Sequence, residues 1–572
     1  MYQAGWSKQQ LAIVAQGYAM HGYGQPGHRA FGTRAPLHAR CFYIADGDAA
    51  PLIYCCLDLG YITHAMRAGV VERLHAHLGE GWDEQRLVLT CTHTHSGPGG
   101  CSQDGLYNLV TPGYVPAHVE AIVEACVSAI LDARDRAAPT ELALISAPLD
   151  EETPVAWNRS LAAYNRNPDV TPRSDDQTHL ALDRTMHVLR FQRDGQTRAL
   201  LSLFGVHATC LGSHNHNHDG DNKGYAALHA EQVLAEQGGD QGIDPPVAIF
   251  AQGTAGDVSP HYQGPGAHRR RRQLKGEAEY DYARQNGQRQ SEHALAMVNS
   301  DQALPISGPL DGVLTYVDMG NQLASPQYAD QCDNARTSPP CHGVAFFAGA
   351  PIDGPGMPAP MVFIAKQLAR RVKRRRLKQG EPEFARLYAS QGVKDILMEA
   401  GSKRVLGYPL DRIPLPGFAD PLVAELKRQV SIGALAQSAM VPSVLPLQIL
   451  QLGNLRLVCA PGEFTTVAGR RLVQAVSAQW PAQADNARTL ISTYCNDYMG
   501  YVTTRQEYQE QAYEGGHTVF GQWTLAAFQT CFARLAGALE QPPQARDHDT
   551  STRPPATPAA ELALRSNLPP RP

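Results

Sequence analysis

Five apolar runs of strand length in this chain each end in a turn that releases a polar side chain, and this repeated junction limits the possible folds. Arg86-Leu87-Val88-Leu89-Thr90 leads into Cys91-Thr92-His93-Thr94-His95-Ser96-Gly97-Pro98-Gly99-Gly100, and Leu200-Leu201-Ser202-Leu203-Phe204 into Gly205-Val206-His207. Val247-Ala248-Ile249-Phe250-Ala251 precedes Gly256-Asp257-Val258-Ser259-Pro260. Leu455-Arg456-Leu457-Val458-Cys459-Ala460 precedes Pro461-Gly462-Glu463, and Leu490-Ile491-Ser492-Thr493-Tyr494 precedes Gly500-Tyr501. Short apolar runs bounded by turn residues read as buried strands, and helical periodicity between them predicts helices over 114–136, 225–237, 288–298 and 524–539. The alternation predicts an α/β fold, a large mixed β-sheet domain with flanking helices. Loops at one sheet edge would gather the polar residues into a site.

The His93-Thr94-His95 stretch is the sharpest chemical signal. In an extended chain, side chains at i and i+2 point the same way, so both imidazoles can face one cavity. The glycines that follow let the backbone approach whatever sits there. A bare His-x-His is equally compatible with a structural role, and only further ligands elsewhere in the chain decide. His207 and Glu463, each at the end of an apolar run, are such candidates.

Taken together, the motifs resemble the neutral (non-lysosomal) ceramidases, zinc amidases that split the N-acyl bond of ceramide. The matching stretches keep one order from about residue 4 to residue 540: Leu57-Asp58-Leu59-Gly60, the run from Thr92 to Gly100, Asn158-Arg159-Ser160, Val206-His207 with Asp221-Asn222-Lys223-Gly224, Gly256-Asp257-Val258-Ser259-Pro260, Pro461-Gly462-Glu463-Phe464-Thr465-Thr466, and Tyr501-Val502-Thr503-Thr504 leading to Tyr513-Glu514-Gly515. The resemblance implies a Zn2+ ion held by His93, His207, Glu463 and Tyr501. Two His and one Glu with an open position form a known catalytic zinc set, and zinc brings the pKa of bound water down to about 7. It also implies Tyr513 as a donor to the carbonyl oxygen, His95 as either a support for its metal-binding neighbour or a proton shuttle, and Arg159 as a donor to a carbonyl or hydroxyl cluster. Ser259 aligns with a serine discussed as a nucleophile. Because zinc chemistry needs no serine, Ser259 reads better as a hydrogen-bond partner of the substrate head group.

Composition narrows the partners. Hydrophobic residues make up 43% of the 572 and the net charge is −5, which gives no overall attraction to nucleic acid. Basic charge is concentrated at His268-Arg269-Arg270-Arg271-Arg272 and from Arg370 to Lys378. Such runs are solvated faces or patches for anionic lipid head groups, so peripheral membrane contact is a second expectation. No basic segment followed by an apolar core opens the chain, so a cytoplasmic location is expected. The Ser213–Asp219 tract, rich in histidine, reads as a polar loop.

Residues 1–540 read as one catalytic unit. Residues 541–572, with eight prolines in 32 positions, read as a loosely draped or disordered tail, too short for the immunoglobulin-like domain that follows the catalytic domain in the family. The segment from about 325 to 440 matches the family only loosely, and His261 stands where Asn is usual. The substrate is therefore expected to be an N-acyl lipid, ceramide first. A different N-acylated amine on the same fold, or a non-catalytic lipid-binding role, are the alternatives. Oligomeric state is left open.

Overall fold

A computed structural model describes residues 1–567 except 48, 80–81, 110–112, 239–243, 263–273, 351, 355, 414–420 and 482–485. The basic cluster at 268–272 thus lies outside the described residues. The apolar runs do become strands, and two sheets form the centre. The larger has nine strands, in the spatial order Val247–Ala251, Gln196–Leu203, Thr185–Arg193, Ala138–Pro148, Tyr2–Gln10, His38–Ala45, Leu52–Leu57, Leu87–Cys91, with Leu304–Pro305 also beside Ala138–Pro148. The second holds Leu310–Asp318, Val444–Leu452, Leu455–Cys459 and Arg488–Ser492. Both are mixed: Leu52–Leu57 runs parallel to Leu87–Cys91, and Leu455–Cys459 parallel to Arg488–Ser492, among antiparallel neighbours.

The sheets stack between helices in four layers. Along each strand, side chains alternate between two apolar environments. Cys41 and Cys55 pack toward the helices His64–Leu78 and Pro116–Asp135, whereas Phe42 and Tyr54 pack toward Leu450 and Leu457 of the second sheet. Burial on both faces is why Leu52–Leu57 is continuously apolar rather than alternating. Asp221–Gly238 and Glu277–Val298 cover the other half of the large sheet, and Thr466–Ser477 with Thr524–Leu539 covers the outside of the small one.

Strand Ala138–Pro148 is shared between the two halves of the large sheet. Its first residues pair with Tyr2–Ala4 and the rest with Thr185–Gln192. The sheet bends there, and its far end comes back toward its near end. Trp6 Nε1 donates to Pro245 O at 3.2 Å, and the buried Arg40 joins Asp58 to Glu231 at 2.9 and 2.7 Å. This return brings the loops after Leu87–Cys91 and Gln196–Leu203 together, although five strands separate them in the sheet order.

The proline-rich end differs from the expectation of a draped tail. Among its described residues, Thr315 Oγ1 donates to Asp549 O at 2.8 Å, Arg546 pairs with Asp311, and Ala559–Ser566 is a helix with Glu561 and Arg565 buried. The Glu561 carboxylate accepts from Gln437 N and Ser438 N at 2.5 and 2.9 Å, and Arg565 Nη1 donates to Gln103 O at 2.5 Å. The anchors are charged side chains bonded to backbone, and apolar periodicity cannot signal them. Among the described residues no helix is long and apolar enough to cross a membrane.

Candidate active site

Loops from both sheets meet at one edge. Strand Leu87–Cys91 ends before the histidines, so the extended-chain argument for His93 and His95 does not describe how they converge. His93 instead adopts φ 62°, a left-handed conformation uncommon outside glycine, and Thr94 forms a bridge with Ala208 that sets the His207 loop alongside. On the other side, Glu463–Phe464 pairs in parallel with Tyr501–Val502, each preceded by a glycine with positive φ, Gly462 at 109° and Gly500 at 94°. Local strain thus aims the side chains at the site.

Four acceptor atoms crowd one point. Glu463 Oε2 lies 3.0 Å from His207 Nε2 and 3.4 Å from His93 Nε2, and the Tyr501 hydroxyl is 3.3 Å from His207 Nε2. His93 Nδ1 donates to Gly60 O at 2.5 Å and His207 Nδ1 to Val258 O at 3.1 Å. Those bonds leave both Nε2 lone pairs pointing inward, as metal-binding imidazoles are usually held. Burial, with Arg159 nearby, keeps the His207 imidazole below its ordinary pKa, so it is neutral and able to ligate. Burial pushes the Glu463 carboxyl up, but His93 and His207 outweigh it and hold Glu463 well below the usual range. Two imidazoles, a carboxylate and a phenol with lone pairs converging in a buried space suit a divalent cation. His95 belongs to the cluster itself. Its Nε2 is 3.1 Å from His93 Nε2, and the ligating atoms of His93, His95 and His207 all lie within 4.8 Å of one another.

The remaining expected residues form a polar wall beside this centre. Arg159 is saturated by the protein: Nε donates to Glu514 at 2.9 Å, Nη1 to Asp353 at 3.0 Å, and Nη2 to Gly256 O and Tyr501 Oη at 2.9 and 3.0 Å. It touches the centre through Tyr501. Ser259 Oγ donates to Asp353 Oδ1 at 2.8 Å. Tyr513 is partly exposed, its ring centroid 5.3 Å from that of Tyr501.

Several residues of the site escape the sequence reading. Asp353 emerges from a Gly-Pro-rich run with no period, and the lone acid in that apolar stretch was the only sign. It ties Ser259, Arg159 and Thr209 together. Tyr494 and Tyr498 donate to Glu463 at 3.2 and 2.5 Å. Asp257 joins three distant stretches, accepting from Asn158 Nδ2 and Thr466 N while its carbonyl accepts from Arg159 N. Asp58 pairs with Arg40 and caps His38 N, which is a structural role.

The family model for the neutral/alkaline non-lysosomal ceramidase, N-terminal region, matches residues 2–411 and 426–530. The chain is 33% identical over 531 residues to the neutral ceramidase of Mycobacterium tuberculosis, covering 91% of this chain and 74% of that protein. It is 32% identical over 545 residues to that of Pseudomonas aeruginosa, covering 94% and 72%. A solved structure described as a ceramidase complexed with C2 superposes with TM-score 0.77 at 30% identity, covering 97% of this chain and 77% of that one. With its matched motifs meeting at one buried centre, this chain belongs to the neutral/alkaline non-lysosomal ceramidase family.

Proposed function

We propose that the chain hydrolyses the N-acyl amide bond of ceramide, releasing a sphingoid base and a fatty acid, with a zinc ion held by His93, His207, Glu463 and Tyr501. The observation that carries this reading is the convergence of those four acceptor groups, 3.0 to 3.4 Å apart across Glu463 Oε2 and His207 Nε2. Zinc there would polarise the scissile carbonyl and acidify the attacking water. The chain's own residues do the rest. Arg159 fixes the Tyr501 oxygen toward the centre, and Tyr494 and Tyr498 hold the Glu463 carboxylate in place. His95 Nδ1 has no partner among the described residues, which suits a group that carries a proton to the departing amine. Tyr513 is open enough to donate to the carbonyl oxygen as charge develops.

The setting of Ser259 favours a positioning role over a nucleophilic one. Its hydroxyl faces a carboxylate, not an imidazole. Burial raises the Asp353 pKa, but Arg159 and His261 outweigh it and hold it below the usual value, which makes Asp353 a poor proton acceptor. A second substrate reading rests on Phe346 and Asp353. Both come from the segment expected to match only loosely, although the family model covers it as far as residue 411, and both stand at the site: Phe346 stacks 5.6 Å from Tyr513. Another N-acylated amine could fit such a wall.

The test is hydrolysis of ceramides and unrelated N-acyl amines by purified protein of measured zinc content, beside His207→Ala. Zinc-dependent release of sphingoid base as the fastest reaction, lost with metal in His207→Ala, supports the proposal. Full activity in zinc-free protein would refute it, and cleavage of a different amide in preference would move the substrate.

A further inference from the structure

The helix Ala359–Gln379, which carries the second basic cluster, has an outer face that is exposed among the described residues. Val362, Ala365, Ala369, Val372 and Arg376 form its inner stripe, spaced three and four apart, and pack on the chain. The neighbouring stripe, at Met361, Ile364, Leu368, Arg371, Arg375 and Lys378, is exposed. It is apolar over its first half and cationic over its second. Of the thirteen large apolar side chains exposed among the described residues, five lie on this one helix, and Phe363 and Ile364 are 65% and 58% exposed. That is a patch and not the usual scatter.

The charge is equally one-sided. The helix contains no Asp or Glu. Arg370 and Arg376 are used internally, paired with Asp395 at 3.0 Å and Glu399 at 2.5 Å, and Lys373 donates to Gly392 O at 2.6 Å. Arg371, Arg374, Arg375 and Lys378 have no carboxylate partner among the described residues.

We propose that this face docks on a bilayer bearing anionic head groups, with Met361, Phe363, Ile364 and Leu368 entering the interface and the arginines lying on the lipid charges. Bulky apolar groups beside unpaired cations along one helix have the composition of an interfacial helix. A second copy of the chain fits less well, because a two-fold contact would bring acid-free cationic stripes together. The overall charge of −5 and the exposed apolar half argue against nucleic acid. The placement is apt for a lipid substrate. Met361 stands eight positions after Asp353, at most about 28 Å of chain, so the apolar end lies within reach of the site. The inference goes beyond the proposed hydrolysis, and its readout does not depend on it.

Co-sedimentation of the full chain with phosphatidylcholine vesicles, with and without phosphatidylglycerol, tests the proposal, alongside Phe363→Ser/Ile364→Ser and Arg371→Glu/Arg374→Glu/Arg375→Glu. The unaltered chain should bind phosphatidylglycerol vesicles more tightly, and salt should weaken that binding. Each arginine near an anionic surface is worth roughly fivefold in partition, so the charge-reversed variant should lose at least about tenfold. The apolar variant should also release, while both keep unaltered turnover on a soluble short-chain amide. No binding to either vesicle type, or equal binding by all three proteins, would overturn the proposal. So would self-association abolished by Phe363→Ser/Ile364→Ser, which would assign the face to a second copy.

Discussion

Glu463 is the hub of the site, and its own supports can be tested without removing a ligand. Tyr498 Oη donates to Glu463 Oε1 at 2.5 Å, so Tyr498→Phe deletes one hydrogen bond and keeps the ring. Partners of this kind cost about 10- to 100-fold in metal affinity or activity when removed. Zinc titration of the apo-protein should show that loss with the fold intact, and unchanged affinity would remove Tyr498 from the site. Asp353→Asn should behave differently. It leaves Arg159 with Glu514 as its remaining carboxylate and takes the charged acceptor from Ser259. Turnover should fall roughly ten- to a hundredfold through misplacement, with zinc content unchanged; an acyl group trapped on Ser259 and found by mass spectrometry would instead make that serine the nucleophile. His93, His207, Glu463 and Tyr501 were legible because each follows an apolar run that fixes where a strand stops. Tyr494 was not, because its reach depends on a φ of 58° that no local pattern announces.

At the scale of the element, the parallel pairing of Glu463–Phe464 with Tyr501–Val502 is a tight joint in the site. A Cβ on Gly500 would sit 2.6 Å from His517 Nε2, and the residue has φ 94°. Gly500→Ala therefore pays the left-handed penalty of about 1–2 kcal/mol per residue and displaces a buried ring behind Tyr501. Thermal unfolding should come several degrees lower and bound zinc should fall with it; an alanine variant with unaltered Tm would mean that the loop relaxes freely. The strands that feed these loops were readable because burial on both faces made them uniformly apolar. Helices were readable where their inner faces are aliphatic. Thr524–Leu539 agrees with the periodic reading end to end, whereas Glu277–Val298 begins eleven residues before the expected start at 288. Its first half buries Tyr280, Tyr282, Ala283, Asn286 and Gly287, and a Cβ on Gly287 would lie 2.3 Å from Asn222 O. Close backbone approach, and not an aliphatic stripe, holds that half. The strands Cys341–Gly343, Ile396–Glu399, Arg404–Val405 and Tyr408–Pro409 are two to four residues long, too short to show a period of two.

Across the whole molecule, stability should respond to the protonation of buried histidines and buried carboxyls, in opposite directions. Burial lowers His21, His28 and His517 to about 3, and His64 and His218 to about 4. Each stays neutral in the folded chain, while the unfolded chain takes up a proton below about 6.5. The unfolded state then binds more protons, so their contribution is complete above about pH 6.5 and is lost progressively as pH falls toward 3 or 4. Burial raises Asp104 and Asp221 to about 6 and Asp219 to about 7, and these act in the opposite direction: folded, they keep protons that the unfolded chain sheds near 3.8. Burial likewise raises Asp257 to about 7 and Asp497 well above the usual carboxylate range, so carboxyls and histidines oppose each other over this window and the histidine share is read from a single-site variant. His28 isolates the effect, since neither ring nitrogen has a partner among the described residues. The groups facing it are Tyr23, whose ring is 5.1 Å away, and His214, His216 and His218, which disfavour its charge further. Between pH 7 and 5 the His28 share is roughly 2 kcal/mol. His28→Leu should therefore lose less stability than the unaltered chain over that interval in denaturant melts. Equal losses would show that His28 takes up its proton within the folded state, and that its surroundings open to water before the fold does.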